Sequence, residues 1–187
     1  MPWQCSACSA HNPDGNAFCG QCGAAGATSL KSERRLVTAL FADISGFSEL
    51  SARIDAEELV ELIDPVVTAL SNVVGRFGGT VEKYAGDAIL ALFGAPVAHD
   101  DDAARALRTA DAMHRELAAL VPELGPDGAG LKLHVGVNSG HGIGRVMGSD
   151  VRLDYGVLGD VVVLAQRLEA AAPPGETYVG EATYEPM

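Results

Sequence analysis

The chain has 187 residues, with 13 lysines and arginines against 25 aspartates and glutamates, a net charge of −12. That balance argues against broad contact with nucleic acid or anionic lipid, both of which attract a basic face. It leaves room for a triphosphate ligand, because a metal ion can supply positive charge locally.

At 48% apolar and 20% charged residues, the composition suits one soluble domain with a real core and a small appendage. No apolar run approaches the roughly 20 residues that cross a bilayer. The start, Met1-Pro-Trp-Gln-Cys5, has neither the basic nor the apolar stretch of a signal peptide. The expected location is therefore the cytoplasm, without membrane or nucleic-acid partners.

Residues 1–26 contain all four cysteines, as Cys5-x-x-Cys8 and Cys19-x-x-Cys22 separated by ten residues. Two such knuckles suit a tetrahedral zinc ion, and Gly20 and Gly23 permit the tight backbone a knuckle requires. The segment is too small to bury a core, so the expectation is a zinc ribbon stabilised by its metal. Four thiolates also suit iron in a rubredoxin-like site. A pair of disulfides fits a secreted protein better than a reducing compartment. With four protein ligands the zinc is expected to be structural.

Residues 27–33 read as a linker, and residues 34–187 as the main domain. Leu36–Ala42 is a buried strand ending at Asp43. Asp55-Ala-Glu-Glu58 is a capping-box pattern that opens a helix to about Arg76. Thr80–Ala85 and Ala88–Phe93 flank Gly86-Asp87 as a two-residue hairpin. Asp100–Val121 is a helix with His99 or Asp100 as its cap. Leu131–Val137 is a strand, a glycine-rich bend follows, and Gly159–Ala172 is a further helix. The order predicts an α+β fold: a ferredoxin-like βαββαβ sandwich with two βαβ-like halves around a mixed sheet.

Asp43 at a strand end and Asp87 at a hairpin tip meet in one cleft if their strands are neighbours. Two carboxylates so placed can hold two divalent cations. The turn at Gly46 leads towards a helix whose backbone N–H groups face outward for a phosphate. On spacing alone Asp87 can equally be a turn residue and Asp43 a helix cap. His99, His114, His134 and His141 suggest no site.

Three stretches alter that balance. Phe41-Ala-Asp-Ile-Ser-Gly-Phe-Ser48 resembles the first metal motif of class III adenylyl and guanylyl cyclases. Glu82-Lys-Tyr-Ala-Gly-Asp-Ala-Ile-Leu-Ala-Leu-Phe-Gly94 resembles the second. Asp154-Tyr-Gly-Val-Leu-Gly-Asp-Val-Val-Val-Leu-Ala-Gln-Arg-Leu-Glu169 resembles the signature carrying the ribose and transition-state contacts. The resemblance runs from about Arg34 to Tyr184.

The resemblance implies conversion of ATP to 3′,5′-cyclic AMP and pyrophosphate at the interface of a homodimer. It makes Asp43 and Asp87 ligands of two magnesium or manganese ions, with the Ile44 carbonyl assisting. Ser45, Gly46 and Phe47 fall beside the phosphates. Lys83 occupies the purine-reading position, where a lysine donates to adenine and an acid accepts from guanine. Arg167 falls on the arginine that holds charge on the α-phosphate, with Lys83 and Arg167 supplied by the protomer opposite the carboxylates. Zinc ribbons of this kind resemble appendages of some bacterial multidomain cyclases, and further C-terminal regulatory domains are expected.

The sequence departs from the family in two side chains. The second purine-reading position is Gly156, and the position of a ribose-orienting asparagine is Val163. The final strands, where the family usually carries a phosphate-binding lysine, are not in this chain. These departures keep open a degenerate pseudo-cyclase, a nucleotide-binding regulatory domain of a larger protein. An interaction module organised by the ribbon is a third reading, which has no need of the metal motifs.

Overall fold

A computed structural model describes residues 2–5, 7–13, 19–22, 33–149 and 152–184. Gly23 and nearly all of the expected linker lie outside these residues. Glu33, placed in the linker by sequence, instead opens the first long strand.

Near the N-terminus β1 (Trp3–Gln4) pairs antiparallel with β2 (His11–Asn12). The first knuckle is tied by Cys5 N–H to the Ala10 carbonyl (2.9 Å) and Ser9 N–H to the Cys5 carbonyl (2.8 Å).

In the main domain β3 (Glu33–Ser45) leads through Gly46 into α1 (Phe47–Ser51) and α2 (Ala56–Arg76). The Asp55 side chain accepts from the N–H groups of Glu57 and Glu58 and so satisfies two orphan donors at the start of α2. The hairpin of β4 (Thr80–Ala85) and β5 (Ala88–Phe93) precedes α3 (Asp102–Leu120), a 3-10 turn at Val121–Leu124 and α4 (Gly125–Gly128). The chain continues through β6 (Lys132–Ser149), β7 (Arg152–Leu158), α5 (Asp160–Ala171), β8 (Thr177–Val179) and α6 (Glu181–Tyr184).

The main sheet runs β4-β5-β3-β6-β7, with β8 on β6. Neighbours are antiparallel except β8, which pairs parallel with β6 and makes the sheet mixed. Strands β3 to β6 with α2 and α3 give the βαββαβ order expected from sequence.

Side-chain alternation along β3 sends residues to two cores. Leu40, Ala42 and Ile44 pack with Val66, Leu70 and Val73 of α2 and Met113 of α3. Val37 and Ala39 face the other way, towards Leu90, Leu92, Val157, Val161 and Ala165. The sheet curls, so that the β6–β7 hairpin and α5 cover this second face. α5 lies very close to β6 because residue 136 has no side chain: a Cβ there would sit 2.1 Å from the Ala165 carbonyl oxygen and 2.2 Å from the Glu169 nitrogen.

Two expectations are corrected. The glycine-rich stretch after Val137 is not a bend but the continuation of β6 to Ser149, and β7 follows it. Its glycines serve packing, since a Cβ at Gly142 would meet Val157 at 2.4 Å. Helix α3 begins at Asp102 after an N-cap residue Asp101 that makes no side-chain cap bond, rather than after His99 or Asp100. The Asp102 carboxylate turns back instead to accept from the His99 N–H at 2.7 Å.

Candidate active site

β3 and β5 are hydrogen-bonded neighbours, with Ala42 opposite Ile89. This brings Asp43 near the end of β3 beside Asp87 in the β4–β5 turn. Gly86 has φ +68°, a left-handed value that a residue without Cβ adopts without strain. One Asp43 oxygen accepts from the Ile44 N–H at 2.9 Å.

Burial foremost, then a hydrogen bond and charge repulsion from Asp43, raise the Asp87 carboxyl from 3.8 to about 7. The two side chains that sequence paired only conditionally are thus in contact and resist joint ionisation. A divalent cation between them relieves that repulsion, and paired carboxylates are the hard oxygen donors that magnesium and manganese prefer. The donor set therefore fits the expected metals.

Ser45, Gly46 and Phe47 follow directly. Gly46, at φ +87°, caps the five-residue α1. The Ser45 hydroxyl donates to the Lys132 carbonyl at 3.2 Å, and Phe47 packs against the first core.

Lys83 is exposed on β4 opposite Leu90, immediately after a β-bulge. Gly156 is buried on β7. Val163 and Arg167 stand on the exposed side of α5, four residues apart and so on one helix face. Val163 is 47% exposed. Among the described residues neither Lys83 nor Arg167 makes an ion pair. Within one chain the carboxylates thus meet each other, while the candidate cations point to solvent.

Two acidic residues near the site were missed by sequence reasoning. Glu169 on α5 is half-buried, and burial followed by the charge of Asp43 pushes its carboxyl up, while His134 pulls it down. The register pairing of Asp43 with His134 brings these three groups together. Glu82 lies in the bulge between Val81 and Lys83, and its Oε1 accepts from the Val157 N–H at 3.4 Å. Strict alternation along β4 would turn Glu82 away from Lys83, and only the bulge, which no local sequence signal marks, puts the two on one face.

A separate pocket of about 380 Å³ lies at the opposite end of β3, lined by Thr38, His99, Asp102, Ser139 and Ala182 among others. Thr38 and Asp43 are five residues apart on one strand, about 17 Å, so this pocket is distinct from the carboxylate site.

The four cysteine sulfurs lie within 4.8 Å of one another. Cys5 and Cys22 Sγ are 3.5 Å apart and Cys8 and Cys19 Sγ 3.6 Å, so all four thiols are free. A tetrahedral ion with zinc–sulfur bonds of ~2.3 Å separates its sulfurs by about 3.8 Å, close to this spacing. Without a metal the cluster divides its protons unevenly. Backbone N–H groups of Cys22 and Gln21 hold the Cys19 thiol down at about 6, whereas Cys8, against a lowering backbone hydrogen bond at Ala10, is pushed up to about 12 by the neighbouring thiols, Cys22 foremost.

The profile of the adenylate and guanylate cyclase catalytic domain matches residues 30–187. An uncharacterized protein of Mycobacterium tuberculosis is 36% identical over 141 residues, covering 74% of this chain and 23% of its own length. The chain thus spans about a quarter of that relative. The solved adenylyl cyclase CyaB from P. aeruginosa superposes with a TM-score of 0.78 at 33% identity, covering 83% of this chain and 82% of that one. The guanylyl cyclase Cya2 gives 0.77 at 32%, covering 82% and 79%. No helix among the described residues is long and apolar enough to cross a membrane. With the family profile spanning the whole sheet and both carboxylates, the chain belongs to the adenylate and guanylate cyclase catalytic domain family.

Proposed function

We propose that this chain is a metal-dependent adenylyl cyclase that forms 3′,5′-cyclic AMP and pyrophosphate from ATP in a head-to-tail homodimer. The observation that carries the reading is the Asp43–Asp87 contact, in which burial and mutual repulsion hold Asp87 near 7. Both carboxylates are ligands for two magnesium or manganese ions, with the Ile44 carbonyl as a further donor. When bound, such ions supply Lewis acidity to the phosphates and favour ionisation of the ribose 3′-hydroxyl.

The protein's own groups do the rest. Ser45, Gly46 and Phe47 line the phosphate side of the site. Lys83 donates to an acceptor of the adenine ring, which favours ATP over GTP. Arg167 places a fixed cation where charge grows on the α-phosphate as the 3′-oxygen attacks it. The exposure of Lys83 and Arg167 supports their delivery to the carboxylates of a partner protomer, giving two equivalent sites per dimer. The four cysteines hold one structural zinc, residues 1–26 form the ribbon and 34–187 the catalytic domain. We place the protein in the cytoplasm, ahead of C-terminal regulatory domains.

A second reading, a nucleotide-binding pseudo-cyclase, is favoured by one observation: Gly156 and Val163 offer no side-chain hydrogen bond where the family has one. Complementation tests the proposal. Asp87→Ala and Arg167→Ala should each be inactive. Mixed in equal amounts, they should recover about a quarter of wild-type activity, because half of the dimers then contain one intact site. No recovery, with heterodimers present, rules out the shared site.

A further inference from the structure

The β-bulge on β4 breaks the strand's alternation. Val81 pairs with Ala91 and Lys83 with Leu90, so Glu82 is the extra residue between them. Ala91 belongs to the first core and Leu90 to the second. Lys83 therefore shares the face of Leu90. Glu82 projects from the same face, since its Oε1 reaches the backbone N–H of Val157, a second-core residue of β7. Two consecutive side chains, one acidic and one basic, thus emerge together, as a bulge allows.

The second feature is an orphan. Among the described residues Glu82 Oε2 is buried and has no hydrogen-bond partner. Buried polar atoms without partners are uncommon and costly, and each calls for an explanation, a catalytic or ligand-binding role among them. Burial raises the carboxyl, while the Val157 N–H and the charge of Lys83 act in the opposite sense. The residue preceding Val157 is Gly156, the position from which the family's second purine contact is missing.

We propose that Glu82 Oε2 is the acceptor for the exocyclic amine of adenine, taking over the contact that Gly156 cannot make. The assignment rests on the adenylyl cyclase reading and deepens it. The base-pairing edge of adenine presents a ring acceptor beside an amino donor. Lys83 and Glu82 present the complement, a donor beside an acceptor, from adjacent positions of one strand. The Val157 N–H holds the other Glu82 oxygen, which fixes the carboxylate against β7. Base selection then depends on a pair, Glu82 and Lys83, and the glycine at 156 leaves room for the base to approach.

The test compares ATP with purine riboside triphosphate, which lacks only the 6-amino group. Binding is measured by calorimetry with manganese on the full chain, alongside cyclic product formation. A hydrogen bond to a charged acceptor predicts that wild-type protein prefers ATP by roughly 10- to 100-fold. Glu82→Ala and the equally long Glu82→Met should bring the two ligands to within about 3-fold, chiefly by weakening ATP. Equal binding of both ligands by wild-type protein overturns the assignment, whichever variant fails to fold. So does an equal loss of both in the variants, which assigns Glu82 only to bracing β7. If ATP binds with the predicted discrimination but no cyclic AMP forms, the base contact stands and the catalytic proposal fails. If neither nucleotide binds, both fail.

Discussion

Asp87→Asn should stabilise the metal-free protein by an amount that grows as pH rises from about 4 to above about 7. The folded-state value of about 7 lies above the ~3.9 of an unfolded aspartate. Between these values the folded protein keeps a proton that the unfolded chain has lost. Stability therefore falls as pH rises through that window, and the penalty is complete above about pH 7. A rise from 3.8 to about 7 is worth ~4 kcal/mol for a fully shielded group. Asp87 is only half-buried, and solvent screening reduces the expected effect to ~1–2 kcal/mol. Asparagine keeps the shape and removes the charge. In magnesium-free buffer at pH 8 the variant should melt ~3–6 °C above wild type, and below about pH 3.5, where both folded and unfolded chains keep the proton, the two should coincide. Manganese should raise the melting temperature of wild type and close the gap. A variant less stable than wild type at pH 8, or a difference independent of pH, would refute the contact between the two carboxylates.

Four further outcomes follow from the same residues. Lys83→Glu should lower the ratio of cyclic AMP to cyclic GMP formed from equal ATP and GTP, because an acceptor replaces the donor facing the base; an unchanged ratio removes Lys83 from base selection. Val163→Asn should raise kcat by ~10-fold, equivalent to about 1.4 kcal/mol, by orienting the ribose from the helix face that carries Arg167; an unchanged or lower rate means that ATP lies differently. Cys5→Ser with Cys8→Ser should lose about one zinc per chain by elemental analysis, while the cyclase domain keeps its circular dichroism and activity. Gly136→Ala should destabilise by ~2–3 kcal/mol in urea, since its Cβ would meet the α5 backbone at 2.1 Å.

The elements most legible in the sequence were those with a local signal. Asp55 with Glu57 and Glu58 marked the start of α2, and Gly86-Asp87 marked the hairpin, because caps and tight turns depend on a few adjacent residues. The β6 extension was misread because Gly140 and Gly142 look like turn residues in sequence. They are small for a tertiary reason, the approach of Val161 and Val157. The carboxylate contact needed the pairing of β3 with β5, which the Asp43 and Asp87 spacing alone left open. Glu82 and Glu169 stayed hidden for a related reason. One depends on a bulge that changes the facing of a single residue, the other on the closeness of α5 that Gly136 permits.

The central claim, metal-dependent cyclisation of ATP, is tested most directly by incubating the purified chain at high concentration with ATP and manganese and separating the products by chromatography. Cyclic AMP and pyrophosphate should form in equal amounts, with formation abolished in Asp87→Ala protein that retains its fold. Absence of cyclic AMP from wild-type dimers, or its undiminished formation by Asp87→Ala, would contradict the claim.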